Sequence, residues 1–218
     1  MFNLYRSSNT IIFIFLYSSL LVGYFLGENS TGGAFVDFKL RARIIEDFNY
    51  DFKNTFLNYD KLDDRHSPIM VMLFSLLNSI GLNLGIIRLL FINILPLLIF
   101  ISYKCFEVKF PDISKKIIFL LCCVFFISPI LRSTAIWPDS RILGLLFFMI
   151  SLFFFLKFKR KNKFKYCFYN NFFLIFASYI SPNFSIFFIY FIYYYFNFYK
   201  FTYKFFSIFV INIIFSIP

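Results

Sequence analysis

Long apolar segments separated by short polar connectors make up most of this chain. They are too long and too uniform for half-buried helices, and they match membrane spans, which need about 17–25 mostly apolar residues, or fewer inside a bundle. The segments lie at about 10–27, 68–83, 86–103, 117–131, 142–156, 168–180, 184–199 and 205–217. We therefore expect an all-α fold, a polytopic transmembrane helical bundle of seven or eight apolar segments that forms a single membrane domain over residues 1–218.

The one long polar stretch is 28–66, which holds eight of the eleven carboxylates. Within it, one set of residues recurs at helical spacing: Phe38, Arg41, Ile44, Ile45, Phe48 and Phe52. This period is typical of an amphipathic helix that lies along a membrane surface. We expect 28–66 to be a long external loop that carries such a juxtamembrane helix.

The lysine-rich connectors predict the orientation of the spans, because basic residues concentrate on the cytoplasmic side of a membrane. The strongest signal is KFKRKNKFK at 157–165, and the next is the connector 103–116. With both connectors inside, the connector 132–140 between them faces outside as a second external loop. The stretch 28–66 is also placed outside.

The number of segments does not fit this orientation without one adjustment. The chain must cross the membrane an odd number of times between an external residue 66 and an internal residue 157, yet four apolar segments lie between them. The segment 68–83 is short, starts at Pro68 and contains Asn78 and Gly81. We expect this segment not to span the membrane fully.

Composition agrees with a membrane protein and limits what charge can mean. The chain is 60% hydrophobic and only 15% charged, whereas soluble domains are about 25% charged. Its net charge of +11 lies mainly in the connectors, where orientation explains it, so no nucleic-acid partner is expected. The four cysteines show no metal or redox spacing and are interpreted as small apolar residues. The Phe and Tyr stripes are assigned to lipid contact and packing.

Three polar stretches carry the candidate functional residues. Asp37 follows two glycines in GGAFVDFKL, and Asp139 lies between Arg132 and Arg141 in RSTAIWPDSRI. The only histidine, His66, lies in DDRHSPIM just before an apolar segment. Two arginines can bind a phosphate through forked hydrogen bonds, and the histidine could bind a phosphate, orient a carboxylate or bind a metal. We expect Asp37 and Asp139 to converge on one cavity, within about 15 Å of each other.

Each candidate also has a purely structural explanation. Asp37 could be a solvated acid or satisfy the amides of a glycine-rich turn. Asp139 suits the N-cap of the helix that follows it, which is compatible with a place in a site. His66 could lie at the interface without a ligand, and Arg132 and Arg141 could extend their charges to the membrane surface.

The order of the pieces resembles the GT-C glycosyltransferases, and in particular the branch of protein mannosyltransferases and lipid A aminoarabinose transferases. A first span precedes a loop with an acidic residue, matched by Asp37 in GGAFVDFK. A (H/K)-P-P-L stretch is matched by RHSPIM, with Ser67 in place of the first proline, and G-x(n)-R-L by GLNLGIIRLL with Arg88. A (S/R)-x-x-x-x-D stretch is matched by RSTAIWPDS with Asp139. The resemblance covers about residues 10–160 and lacks the usual acidic pair near Asp37.

The resemblance implies an inverting transfer of a sugar from a polyprenyl-phosphate donor to an acceptor on the outer face of the membrane. Asp37 and Asp139 would be the catalytic residues, with Asp37 as the base. His66, Arg132 and Arg141 would bind the donor phosphate. The partners would be the lipid-linked donor, membrane lipids and an acceptor glycan, lipid or protein. No organic cofactor is expected, and a divalent metal is left open. The location would be a bacterial plasma membrane.

Two other classes of function are kept. A transporter or lipid flippase would place ionisable groups or broken helices near the middle of the membrane, and beyond Pro96, Pro129 and a few asparagines the segments hold little of that kind. A non-catalytic membrane subunit is the third possibility. The sequence stops inside the apolar run FVINIIFSIP, which favours a truncated member of a larger architecture.

Overall fold

The computed structural model describes residues 2–62, 64 and 66–216, and within them the chain is helical with no strand. The helices are α1 (Phe2–Phe25), α2 (Gly33–Tyr50), α3 (Phe52–Leu57), α4 (Ile69–Ser79), α5 (Leu84–Phe91), α6 (Ile94–Lys109), α7 (Lys115–Ile127), α8 (Pro129–Ile136), α9 (Ser140–Lys161), α10 (Phe164–Ile180), α11 (Phe187–Tyr199) and α12 (Tyr203–Ser216). Short 3-10 turns lie at Tyr59–Lys61 and Pro182–Ile186. The expected all-α class is confirmed for these residues.

Among the described residues, three helical segments are long and apolar enough to cross a membrane. They are Ser8–Phe25 in α1, Leu84–Lys109 across α5 and α6, and Ser140–Lys161 in α9. A fourth crossing is added if α7 and α8, which meet at an angle of 64°, form one bent span. These helices are compatible with a multi-pass membrane protein that has three or four candidate spans.

The bend between α7 and α8 has a local cause at Ser128 and Pro129. Proline has no backbone N–H and cannot continue the hydrogen-bond ladder of α7, but it suits the first turn of a new helix. The Ser128 side chain caps that new helix by accepting a hydrogen bond from the amide of Leu131. Residues 132–140 were expected to form a loop. This was wrong for most of the segment, because α8 continues to Ile136 and only residues 137–139 connect it to α9.

Helix α2 is the amphipathic helix that the sequence predicts, but its apolar face contacts protein. Phe38, Ile44, Ile45 and Phe48 are buried on this face, and α2 packs against α4. A periodic apolar stripe is equally compatible with lipid and with a neighbouring helix, so the sequence pattern could not distinguish the two. Phe52 belongs to the separate helix α3 and is about half exposed.

The segment 68–83 contains the short helix α4, as the crossing count predicts. Its eleven residues extend about 16 Å at 1.5 Å per residue, well below the roughly 30 Å hydrocarbon thickness of a bilayer. One side of α4, with Met70, Val71 and Phe74, is buried in the protein core. The opposite side exposes apolar residues such as Leu73 and Leu76.

The C-terminal half is held by a buried network of neutral polar groups. Asn170 donates to the Ser151 hydroxyl at 2.8 Å and accepts from the Tyr195 hydroxyl at 2.8 Å, which links α9, α10 and α11. Asn212 of α12 donates to the Asn171 side chain at 3.1 Å. Interhelical hydrogen bonds of this kind fix the relative positions of helices inside an apolar environment.

A close contact at Gly144 brings the 3-10 turn Pro182–Ile186 against α9. A Cβ atom at this position would lie only 2.8 Å from the Cβ of Ser181 and 3.0 Å from the Phe184 ring. Glycine therefore allows an approach that any larger residue would prevent. The turn forms one wall of the cavity described below.

Candidate functional site

Arg141, in the first turn of α9, joins the two candidate carboxylates. Its Nη2 donates to Asp139 Oδ2 at 2.7 Å and to Asp37 Oδ2 at 3.0 Å, and its Nε donates to Asp139 Oδ1 at 2.9 Å. Asp37 and Asp139 therefore lie within the predicted distance of about 15 Å of each other, but neither lines the cavity described below, so their convergence on one cavity is not confirmed. Asp37 and Arg141 are about half exposed, at 44% and 52%, whereas the Asp139 side chain is fully buried.

Asp37 does not lie on a loop, contrary to the expectation from its glycine-rich context. Helix α2 begins at Gly33, after Gly32 with a positive φ of 72°, and Asp37 lies in its second turn. A helix fixes the direction of the side chain more strictly than a loop would. Its two neighbours differ in environment, since Phe38 is buried and Val36 is 64% exposed.

Asp139 caps helix α9, as its structural explanation predicts, and also orients Arg141. Its Oδ1 accepts from the backbone N–H of Arg141 at 2.7 Å. Burial by itself would raise the pKa of Asp139, but the hydrogen bonds from Arg141 and the charge of Arg41 outweigh it and hold the pKa below its usual value. The carboxylate therefore stays charged at neutral pH and holds the guanidinium at two points.

Arg41 belongs to this cluster, which sequence reasoning missed. It lies one helical turn after Asp37 on α2 and is 4% exposed, and its Nη1 lies 3.5 Å from Asp139 Oδ2. Its Nε donates to Asp64 Oδ2 at 3.3 Å. Two residues of α2 thus face two residues at the start of α9. The charges alternate along the row Asp37, Arg141, Asp139, Arg41 and Asp64, which we call the Arg141 cluster. The spacing D-x-x-x-R on a predicted helix was the available signal, because residues four apart share a face.

His66 lies at the buried end of this row of charges. Its backbone N–H donates to Asp64 Oδ1 at 3.1 Å, and its ring is partly buried with no partner for Nδ1 among the described residues. Burial, followed by the charge of Arg41, lowers the pKa of His66, while Asp64 and Asp139 act in the opposite direction. The lowered pKa favours the neutral imidazole at pH 7.

Arg132 lies apart from the cluster and has its own partner. It forms an ion pair with Glu28, with Nη2 2.6 Å from Oε2 and Nε 2.9 Å from Oε1, and it also donates to the Ser19 carbonyl at 3.1 Å. The hydrogen bonds from Arg132 lower the pKa of Glu28. In the described part of the chain, no recorded contact joins Arg132 to Arg141, Asp37 or Asp139. Sequence reasoning grouped the two arginines because they are close in sequence and did not identify Glu28.

Arg88 and Trp137 hold the connector that carries Asp139. The Arg88 guanidinium stacks on the Trp137 ring at 3.6 Å, and its Nε donates to the Ile136 carbonyl at 3.1 Å. The Trp137 indole N–H donates to the Glu28 carbonyl at 2.9 Å. The connector is thus tied to α5 and to the segment that follows α1, which limits the movement of Asp139.

A cavity of about 500 Å³ lies beside Arg141. Its lining is largely apolar, with Ile130, Leu145 and Phe184 among its walls, and it includes Ser181, the residue before the turn that packs against Gly144. Of the five predicted site residues, Arg141 alone lines it. No acceptor is found for Arg141 Nη1 among the described residues, so this N–H group can serve a ligand. The volume is within the range of pockets that bind small molecules, about 300–1,000 Å³.

The described residues contain no group of three or more His, Cys, Asp or Glu side chains arranged to hold a metal ion. No family model matches the chain, and no curated protein or solved structure matches it. What the site does must therefore be argued from its own geometry.

Proposed function

We propose that this protein is a membrane glycosyltransferase of the GT-C type, which moves a sugar from a polyprenyl-phosphate donor to an acceptor with inversion. One observation supports this most. A half-exposed carboxylate, Asp37, and a half-exposed guanidinium, Arg141, share a hydrogen bond beside a largely apolar cavity. A base next to an anion-binding group, with apolar space for a lipid, is what this transfer requires.

The roles follow from exposure and contacts. Asp37 accepts the proton of the acceptor hydroxyl while the hydroxyl oxygen attacks the anomeric carbon. The bond from that carbon to the phosphate oxygen breaks, and its electron pair leaves with the lipid phosphate. Arg141 stabilises the charge that develops on this phosphate. Asp139 has no exposed surface, so it acts by positioning Arg141 and does not touch the substrate.

The contact between Asp37 and Arg141 couples donor binding to the base. A phosphate that binds Arg141 competes with the Asp37 carboxylate for Nη2. Displacement leaves Asp37 without its cationic partner and free to accept a proton. The pair is half exposed, so separating it costs little, since exposed ion pairs contribute about 0–1 kcal/mol.

The proposal includes the membrane arrangement that the sequence predicts. Helices α4, α10, α11 and α12 complete a bundle of seven or eight apolar segments around the three or four candidate spans. The lysine runs at 103–116 and 157–165 face the cytoplasm, and the Arg141 cluster faces outward from a bacterial plasma membrane. The acceptor is a glycan, lipid or protein on that outer side.

Replacing Arg141 and Arg132 in turn tests which arginine binds the donor. Arg141→Lys keeps the charge beside Asp139 but loses the planar fork, so we expect kcat/KM for a polyprenyl-phosphate sugar to fall about tenfold or more. Arg132→Lys is the matched control, because Arg132 is already paired with Glu28. The measurement is transfer of labelled sugar by purified protein in proteoliposomes. A larger loss in Arg132→Lys than in Arg141→Lys would contradict this assignment.

A transporter or flippase is the second candidate function, and two observations favour it. The bent pair α7 and α8 is similar to the broken helices of transporters, and the network around Asn170 places polar groups between α9, α10 and α11. This network contains no charged group. Movement of the lipid-linked sugar across vesicles without acceptor, unchanged in Asp37→Asn, would favour this function. A protein that neither moves nor transfers the sugar would be a non-catalytic membrane subunit.

A further inference from the structure

A second cleft lies between α1, α6 and α7, separate from the Arg141 cluster. It has a volume of about 320 Å³ and an almost wholly apolar lining, with Phe13, Pro96, Phe100 and Phe119 among its walls. One basic residue, Lys104, lies in the lining. A cleft between spans with this lining fits an acyl chain better than a polar molecule.

A cluster of three charges that includes Lys104 links α6 to α7. Lys104 Nζ lies 3.0 Å from Glu107 Oε2, and Lys115 Nζ lies 3.3 Å from the other oxygen, Glu107 Oε1. Two ammonium groups therefore share one carboxylate, which leaves the cluster with one uncompensated positive charge. A single phosphodiester would neutralise it.

The N-terminus of α7 adds a second attraction for an anion. This helix of thirteen residues begins at Lys115, and its first turn contains two lysines and no acidic residue. The N-terminal end of a helix carries a partial positive charge and favours negative groups. The Ser114 hydroxyl satisfies one amide, that of Ile117, at 3.4 Å.

We infer that this cleft binds an anionic phospholipid, with an acyl chain between α1, α6 and α7 and its phosphate at Lys104 and Lys115. The apolar lining accounts for the chain, and the uncompensated charge at the rim selects an anionic headgroup. Basic pockets between transmembrane helices bind anionic lipids in this way. The inference does not depend on the proposed glycosyltransfer, because it concerns other residues and another ligand.

Native mass spectrometry of the full chain tests this site. Delipidated protein in detergent is mixed with phosphatidylglycerol or phosphatidylcholine at equal concentration, and the bound fraction of each lipid is measured. We expect wild type to retain phosphatidylglycerol preferentially. In Lys104→Gln/Lys115→Gln the apparent affinity for phosphatidylglycerol should fall about thirtyfold, since each of the two lysines near an anionic lipid contributes about 1 kcal/mol.

The control variant Lys163→Gln/Lys165→Gln removes the same charge from two exposed lysines at the α9–α10 connector, and it should bind like wild type. Phe119→Trp narrows the cleft with both lysines intact and should also reduce binding. The proposed lipid site would be contradicted if wild type retained both lipids equally. It would also be contradicted if the two lysine variants lost phosphatidylglycerol binding to the same extent. Displacement of the lipid by glycerol phosphate at equal concentration would show a site for free phosphate and would overturn the assignment to a lipid. Each variant is first checked for a single symmetrical gel-filtration peak.

Discussion

Replacing Asp37 with asparagine is expected to reduce sugar transfer by about 10²–10⁴-fold, the usual contribution of general-base catalysis. Asparagine keeps the shape of the side chain and a carbonyl oxygen for Arg141, but it cannot accept a proton from the acceptor hydroxyl. The effect should therefore appear mainly in kcat, and KM for the donor should stay the same or fall slightly, because the phosphate no longer competes with a carboxylate for Arg141. The measurement is transfer of labelled sugar from polyprenyl phosphate, with equal amounts of purified protein in proteoliposomes.

The folded state should change little in this variant. Asp37 is 44% exposed and its recorded ion pair with Arg141 is half exposed, so its loss should cost about 1 kcal/mol or less in the free energy of unfolding. Glu46→Gln is the matched control, because Glu46 is an exposed acid on the same helix with no role in the site. Equal transfer by Asp37→Asn and Glu46→Gln would show that Asp37 is an ordinary surface acid.

The sequence predicted features that depend on local pattern. The spacing of Phe38, Ile44 and Phe48 predicts helix α2, because a 3.6-residue period defines one helical face. The position of Asp139 before Ser-Arg-Ile predicts a cap, because N-cap preference is a property of a few adjacent residues. The short helix α4 lies between Pro68 and Gly81, two residues that interrupt helices, and the crossing count points to the same segment. These are local effects, and the tertiary structure did not override them.

Pairings between distant segments could not be predicted in the same way. Nothing in the sequence links Glu28 to Arg132, or Asp64 to Arg41, because these pairs form only when α2 and α8 pack into the bundle. Arg41 was assigned to an apolar face because helical spacing shows which residues share a side. It does not show whether that side meets lipid, a helix or another charge. The environment of Asp37 was missed for the same reason.

The buried charges around Asp139 hold Arg141 in a fixed position at the start of α9. Asp139 is held by the helix that it caps, by Arg41 and by the connector that Arg88 clamps to Trp137. Arg141 is in turn held at two points by Asp139. A guanidinium fixed in this way loses little conformational freedom when it binds a phosphate, which favours binding. Arg141 is therefore held rigidly by Asp139. The contact between Arg141 and Asp37, at the exposed end of the row, is broken more easily.

Replacing Asp139 with asparagine should have the largest effect on stability. The change leaves the shape and part of the cap, but it removes the negative charge between two arginines, of which Arg41 is 4% exposed. Removing one partner of a buried ion pair costs about 3–5 kcal/mol. We expect about 3 kcal/mol, because Arg41 keeps Asp64 and Arg141 keeps Asp37. The free energy of unfolding is measured at pH 7 by titration with sodium dodecyl sulfate in mixed micelles, with the exposed acid of Asp60→Asn as control.

The pH dependence of this loss of stability distinguishes the effect of the Asp139 charge from the effect of its shape. The pKa of Asp139 is lower in the folded protein than in the unfolded chain, so the carboxylate stabilises the fold above about pH 4, the usual pKa of an aspartate, and this contribution disappears as the pH falls through the folded-state pKa. The asparagine variant lacks it at every pH. The difference in free energy of unfolding between wild type and Asp139→Asn should therefore be largest at pH 6–7 and shrink progressively below about pH 4. A difference that stays the same from pH 7 to pH 3 would mean that the amide disturbs packing or the cap, and that the charge of Asp139 does not hold Arg41 and Arg141 in place.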